Sequence, residues 1–250
     1  MTLSWQVVLI AAAGIAAGAI GSAGGITSLV SYPALLATGV PALPADVANL
    51  VAAVACWPGS AFASRPELLG RAGWLRRWAG AAAVGGATGS ALLLLTSSQG
   101  FRLAVPFLVA AGSLALLAAP AVTALRSHDT QRFALARFIG LLLVSAYGGY
   151  FGAGSGIMTL ALLLITVDHQ IAAANALKNM LIGAASVASA LTFITFGPVD
   201  WAAVIPLGAG MFAGSMIGPR LVRRIPAGLL RHLVALLGLG LAVKLWITPT

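Results

Sequence analysis

Lys178 stands in the middle of an apolar run, Ile171 to Phe193 (IAAANALKNMLIGAASVASALTF). Asn175 lies three residues before it and Asn179 one after, so a helix puts all three near one face. An ammonium in hydrocarbon costs several kcal/mol unless it meets a carbonyl, a carboxylate, water or an anion. Two chemistries would satisfy it. Lys178 could neutralise a bound anion, which is the default reading of an intramembrane charge. It could instead snorkel to a helix end or hold carbonyls opened by a broken neighbouring helix. Asn49 sits in a comparable apolar run, after Ala45-Asp46-Val47-Ala48.

Two glycine runs add a second chemistry. Gly18-Ala-Ile-Gly21-Ser-Ala-Gly24-Gly25-Ile26 lines up with Gly149-Tyr-Phe-Gly152-Ala-Gly154-Ser155-Gly156-Ile157. A dinucleotide loop would need a strand before it, a helix after it and an acid about twenty residues on, and none is present. In a membrane, such a run lets a helix unwind and exposes N–H groups at a half-helix N-terminus, where the dipole attracts anions. Close packing of small residues is the alternative use. Three acidic-side candidates remain. Asp46 and Asp168 precede apolar segments and read first as helix N-caps. With His169, which titrates near neutral pH, they are also the candidates for proton coupling. His128 and His232 lie beside basic loops and read as solvated. The spacings contain no nucleophile–base pair, carboxylate pair or metal-ligand set, so neither an enzyme, a cofactor nor a metal is expected.

The elements that must position these residues are membrane helices. Charged residues are 8% of the chain and hydrophobic residues 60%, against roughly 25% charged in a soluble domain. Apolar segments follow one another: Leu3–Leu36, Ala45–Ser64, Trp74–Thr96, Phe101–Leu125, Ala134–Val167, Ile171–Phe196, Trp201–Leu221 and Gly228–Ile247. They are continuous and do not alternate, which excludes a β-barrel. Trp5, Trp74, Trp78, Trp201 and Trp246 fall near segment ends, as an aromatic belt requires. The net charge of +9 sits in short loops (Arg65, Arg71, Arg76, Arg77; Arg126, Arg132, Arg137; Arg220, Arg223, Arg224, Arg231). That is the positive-inside pattern and not a nucleic-acid stripe. The single cysteine, Cys56, rules out a disulfide framework.

The segments divide into two repeats of four, residues 1–125 and 134–250, joined by a basic loop at 126–133. Trp74 matches Trp201, and Thr88-Gly89-Ser90 matches Ala213-Gly214-Ser215. The loop Arg65–Arg77 is strongly basic, while its counterpart Gly197–Asp200 has one acid and no base. The charge bias swaps sides, so the repeats are expected to be inverted in the membrane. Inversion needs an odd number of crossings per repeat. Segments one and five, too long for single spans and broken by glycines, supply it as re-entrant hairpins or pairs of short helices. In segments two and six, Asn49, Ala53, Cys56 and Ser60, and Asn175, Lys178/Asn179, Gly183, Ser186 and Ala190, form polar stripes suited to a cavity.

Together these residues resemble the TauE/SafE family of membrane permeases, described as sulfite or organosulfonate exporters. The resemblance rests on the Gly24-Gly25 break followed by Pro33, on Ala45-Asp-Val-Ala-Asn49, and on Asn175-Ala-Leu-Lys178-Asn179. The chain departs from the family at Ala48, often Thr, in its Gly154-Ser155-Gly156 second break, and in lacking a later counterpart of Pro33. The resemblance implies export of small sulfur-containing or organic anions. The expectation is therefore an all-α polytopic secondary transporter in the cell (plasma or inner) membrane. Lys178, Asn175, Asn179, Asn49, Gly24, Gly25, Gly154, Ser155 and Gly156 would bind the anion at the midplane. Its partners are a small anion and the bilayer, not nucleic acid, with a homo-oligomer left open. An anion channel and a non-transporting membrane subunit are the rival functions.

Overall fold

The computed structural model describes residues 2–124, 134–168 and 170–221, and from the last segment His232, Leu236, 239–240, 242–244 and 246–247. His128, His169, the loop 126–133 and most of the eighth segment lie outside the described residues. The helices are α1 Thr2–Gly24, α2 Thr27–Ala37, α3 Ala42–Ala52, α4 Cys56–Ala63, α5 Arg65–Leu68, α6 Ala72–Leu95, α7 Ser98–Ala124, α8 Ala134–Tyr150, α9 Ser155–Thr166, α10 Ile171–Phe196 and α11 Trp201–Leu221. No strand occurs among the described residues. Five stretches are long and apolar enough to cross a bilayer: Trp5–Gly24, Ala42–Ala63, Ala72–Leu95, Ile171–Phe196 and Trp201–Arg220. Large apolar side chains point outward along these and the neighbouring helices α7 and α8, among them Leu92, Leu103, Leu143, Leu191 and Ile205. Such a surface suits lipid as the solvent.

Segments one and five each fold into a long helix and a short one. α2 has 11 residues and α9 has 12, about 16–18 Å at 1.5 Å per residue, roughly half the hydrocarbon thickness. Each short helix doubles back on its long one. The Gln6 amide of α1 donates to Thr38 O just past α2, at 3.4 Å. The Arg137 guanidinium of α8 donates to Thr166 O at the end of α9. In segment two, expected as one run, a short 3-10 turn at Ala53–Ala55 separates α3 from α4. Pro58 lacks the N–H that would bond Val54 O, and its ring crowds that carbonyl.

The long helices pack through glycine seams in which backbones touch. Along α1 and α11, a Cβ on Gly210 would meet Ala11 O at 2.1 Å and Ile15 N at 2.9 Å; one on Gly214 would meet Ile15 O at 2.1 Å and Ala19 N at 2.7 Å. The pair α8 and α6 repeats this. Gly85 sits against Leu142 O and Ala146 N, at 2.5 and 3.1 Å, and Gly89 against Ala146 O and Tyr150 N, at 1.9 and 2.8 Å. Residue numbers rise together in both seams, so each pair is parallel. α4 runs parallel to α11 in the same way, with Gly208 beside Ala52 and Gly59 beside Phe212. α10 follows α6, with Gly86 on Ala185 and Leu94 on Gly197. The helices thus form two parallel sets, α1 with α3–α4 and α11, and α6 with α8 and α10.

Trp5, Trp201 and Trp246 are exposed, as a belt requires, but Trp78 is buried. Arg137, expected as a loop cation, is also buried; its guanidinium lies 5.2 Å from the Trp78 ring centroid. There cation–π attraction and the α9 carbonyl replace water.

Candidate functional site

The two breaks touch. Gly25 has φ +77°, and Gly152 and Gly154 have φ +82° and +77°. This left-handed region ends a helix and is open to glycine at little cost. A Cβ on Gly25 would lie 2.4 Å from the Gly156 carbonyl carbon, and one on Gly156 would lie 2.4 Å from Gly25 Cα. No side chain fits at either position, so the crossing requires both glycines.

Beside the crossing is a cavity of about 70 Å³, enough for several waters at roughly 10–15 Å³ each. α2 lines it with Thr27 and Ser28, α9 with Ser155 and Thr159, and α10 with Asn179 and Ser186. No charged side chain lines it among the described residues. α2 and α9 both begin there. The first N–H groups of a helix have no partner within it, and they carry the positive end of its dipole. Two such termini, these five hydroxyls and an amide make a site for a small anion or polar solute.

Of the expected site residues, Gly25, Ser155, Gly156 and Asn179 meet at this cavity. Lys178 is fully buried and set behind it. Its ammonium donates to Gly21 O at 3.3 Å. Asn175 and Asn179 donate to Ser22 O at 3.0 and 3.1 Å. These are last-turn carbonyls of α1, at the negative end of its dipole; Gly21 O also accepts the Gly25 N–H, at 2.6 Å. One face of α10 therefore caps the broken end of α1. Because Gly21 and Ser22 also line the cavity, the Lys178 charge stands one peptide unit behind its wall. Asn49 lies elsewhere. Its amide donates to Ser28 Oγ at 3.0 Å, and its carbonyl accepts from Ser31 Oγ at 2.5 Å. Gly24 is not at the crossing, and Gly154 packs on Gly112 of α7.

The acids depart from the N-cap reading. α3 starts at Ala42 after Pro41, because proline suits a helix start. Asp46 consequently falls inside the helix, with no solvent exposure. Asp168 precedes α10, whose N-cap is Gln170. It accepts the Gln170 N–H at 2.9 Å and pairs with Arg71 at 2.5 Å. The sequence reading missed the cavity hydroxyls of Thr27, Ser28 and Thr159. Ser28 and Thr159 follow matching positions of the two breaks, and that is the signal that would have found them.

The model of the family described as "Sulfite exporter TauE/SafE" matches residues 9–245. A "Probable membrane transporter protein ORF9" of a Sinorhizobium species is 25% identical over 239 residues, 94% of this chain and 90% of its own. A "Probable membrane transporter protein" of Haemophilus influenzae is 28% identical over 242 residues, covering 93% and 91%. No solved structure matches the chain. With a match over nearly its whole length and membrane-spanning helices to carry it, this chain belongs to the TauE/SafE family of multi-pass membrane transporters.

Proposed function

We propose that the chain is a secondary transporter, working as an exporter, of a small anion: a sulfur oxyanion or an organosulfonate. The observation that carries this is the convergence of two half-helix N-termini, α2 and α9, on one hydroxyl-lined cavity. Paired broken helices of this kind hold anionic groups at the midplane of secondary transporters. In this reading the backbone N–H groups of the first turn of α2 and the Gly156 N–H of α9 bind the anion, with Thr27, Ser28, Ser155, Thr159 and Asn179; the Ser155 and Ile157 N–H groups already donate to Gly152 O and Gly154 O. Gly24, Gly25, Gly154 and Gly156 shape the breaks. Asn49 sets the position of α2. Lys178 and Asn175 hold the end of α1, and the lysine adds positive potential through the wall.

The repeats would be inverted about this site. Aligned pairs are α1 with α8, α3–α4 with α10, and α6 with α11. Short loops join α10 to α11 and α4 to α6, so the two parallel sets run in opposite directions and each aligned pair opposes. Each hairpin adds no net crossing, which leaves three crossings per repeat, an odd number. The Arg71–Asp168 pair ties the two loops that would both face the cytoplasm.

Two experiments test this reading. In proteoliposomes, [35S]sulfite counterflow should saturate and accelerate with unlabelled sulfite inside. Ohmic current without counterflow would make the protein a channel, and no flux by the purified chain would leave it a membrane subunit. With Cys56 replaced, cysteines at Gly70 and Val199 should label from opposite sides; labelling from one side would overturn the inverted arrangement.

A further inference from the structure

Asp46 is the one acid among the described residues that is completely buried. Neither carboxylate oxygen accepts a hydrogen bond from the described residues. The Tyr32 hydroxyl of α2, within electrostatic reach of Asp46, is buried and also unpartnered. Tyr147 of α8 reaches the carboxylate electrostatically too, and its hydroxyl donates to Ala153 O in the second break, at 2.7 Å, and to Leu108 O, at 3.1 Å. Of the other packed elements, α7 brings Phe101, Val105 and Val109 into the same core as α3. α10 brings Lys178, whose ammonium is held by Gly21 O.

The place of Asp46 on α3 is equally specific. The residues before it, Pro41 to Pro44, line a second cavity of about 840 Å³ that also contains Arg102 and Lys244. The residues after it, Leu50 and Ala53, line the central cavity. Asp46 therefore separates two cavities, with tyrosines as its titratable neighbours. An ionised carboxylate without partners is strongly disfavoured in such a place, and a bound proton removes that cost. A sodium ion would need several oxygens, which transporters take from unwound backbone. α3 is continuous from Ala42 to Ala52 around Asp46, so its carbonyls are committed to the helix.

We propose that Asp46 is the proton-carrying group of this transporter, exchanging one proton between the two cavities as the anion crosses. An O–H bond forms on the carboxylate as hydronium on one side gives up its proton, and it breaks to water on the other. This rests on the transporter reading but not on the choice of anion.

The test has two arms. Infrared spectra of the purified protein with [13C]aspartate should show a carboxylic-acid carbonyl band at neutral pH, absent from Asp46→Asn. If the variant fails to fold, titration of the labelled wild-type band decides the matter alone. In proteoliposomes carrying a pH dye, a sulfite gradient should move protons with wild-type protein. Asp46→Asn should lose proton movement and pH-driven sulfite accumulation while keeping sulfite exchange. A wild type with no acid band, a variant that still couples, or sodium replacing the proton overturns the proposal. If wild type carries no sulfite, that result counts against the substrate, and the spectrum still decides for or against Asp46.

Discussion

Asn49 and Asn179 hold matching places in the proposed repeats, yet they are bonded differently. Asn49 is tied to Ser28 and Ser31 of α2, within its own half. Asn179 reaches across to Ser22 O of α1, flanked by Asn175 and by Lys178 on Gly21 O. The hairpin ends are each gripped from within their own half and differ in burial. Gln6 grips Thr38 O at an exposed position, while the guanidinium of buried Arg137 grips Thr166 O. Both proposed repeats carry a glycine break, but among the described residues the buried cations, Arg137 and Lys178, are in the second half. The lesson is that glycine placement gives both halves their breaks, while side chains decide which half holds the other. Of the two, the second holds the first.

The largest expected effect comes from the crossing itself. Gly25→Leu or Gly156→Leu should reduce flux to background, with a reduced yield of folded protein, because each places a side chain inside the opposing backbone. Gly39→Ala is the contrast: its φ is +88° but nothing lies within 4 Å, so it should cost about 1–2 kcal/mol and spare transport. Normal flux in both leucine variants would remove the breaks from the mechanism.

Next, Asn49→Ala should lower stability by roughly 1–3 kcal/mol by stranding buried hydroxyls, with anion affinity little changed. Asn179→Ala should weaken affinity more than stability, since its side chain faces the cavity. Thermal melts with and without sulfite separate the two, and identical behaviour would erase the difference between the halves.

A smaller effect is expected at Lys178. Lys178→Gln keeps a donor for Gly21 O but removes the charge. Anion affinity should fall about ten-fold, or 1.4 kcal/mol, while the melting temperature without ligand stays close to wild type. A lower melting temperature with unchanged affinity would restrict Lys178 to holding α1. Smallest of all, Arg71→Ala breaks a partly exposed ion pair and should cost less than about 1 kcal/mol in denaturation.

How far the sequence carried this picture depends on the residue. Glycine spacing located both breaks because a left-handed turn inside an apolar run leaves few other residue choices. The lysine and its asparagines were visible as polar groups in an apolar run, but not the carbonyls they would meet, since those belong to a helix more than 150 positions away. Asp46 was misread because an acid before an apolar run suggests an N-cap; Pro41 starts the helix earlier and turns the acid inward. Arg137 looked like a loop cation for the same local reason. Only the fold brings Trp78 and the end of α9 to it.

The glycine seams also set an order of assembly. α1 is made well before its close-fitting partner α11. Until then the backbone faces of Gly14 and Gly18 have lipid against them, or whatever the insertion machinery supplies. Small-residue seams gain their energy from close contact, not from escape from water. The first half should therefore insert without locking, and the chain becomes a single body only when its second half threads α11 beside α1.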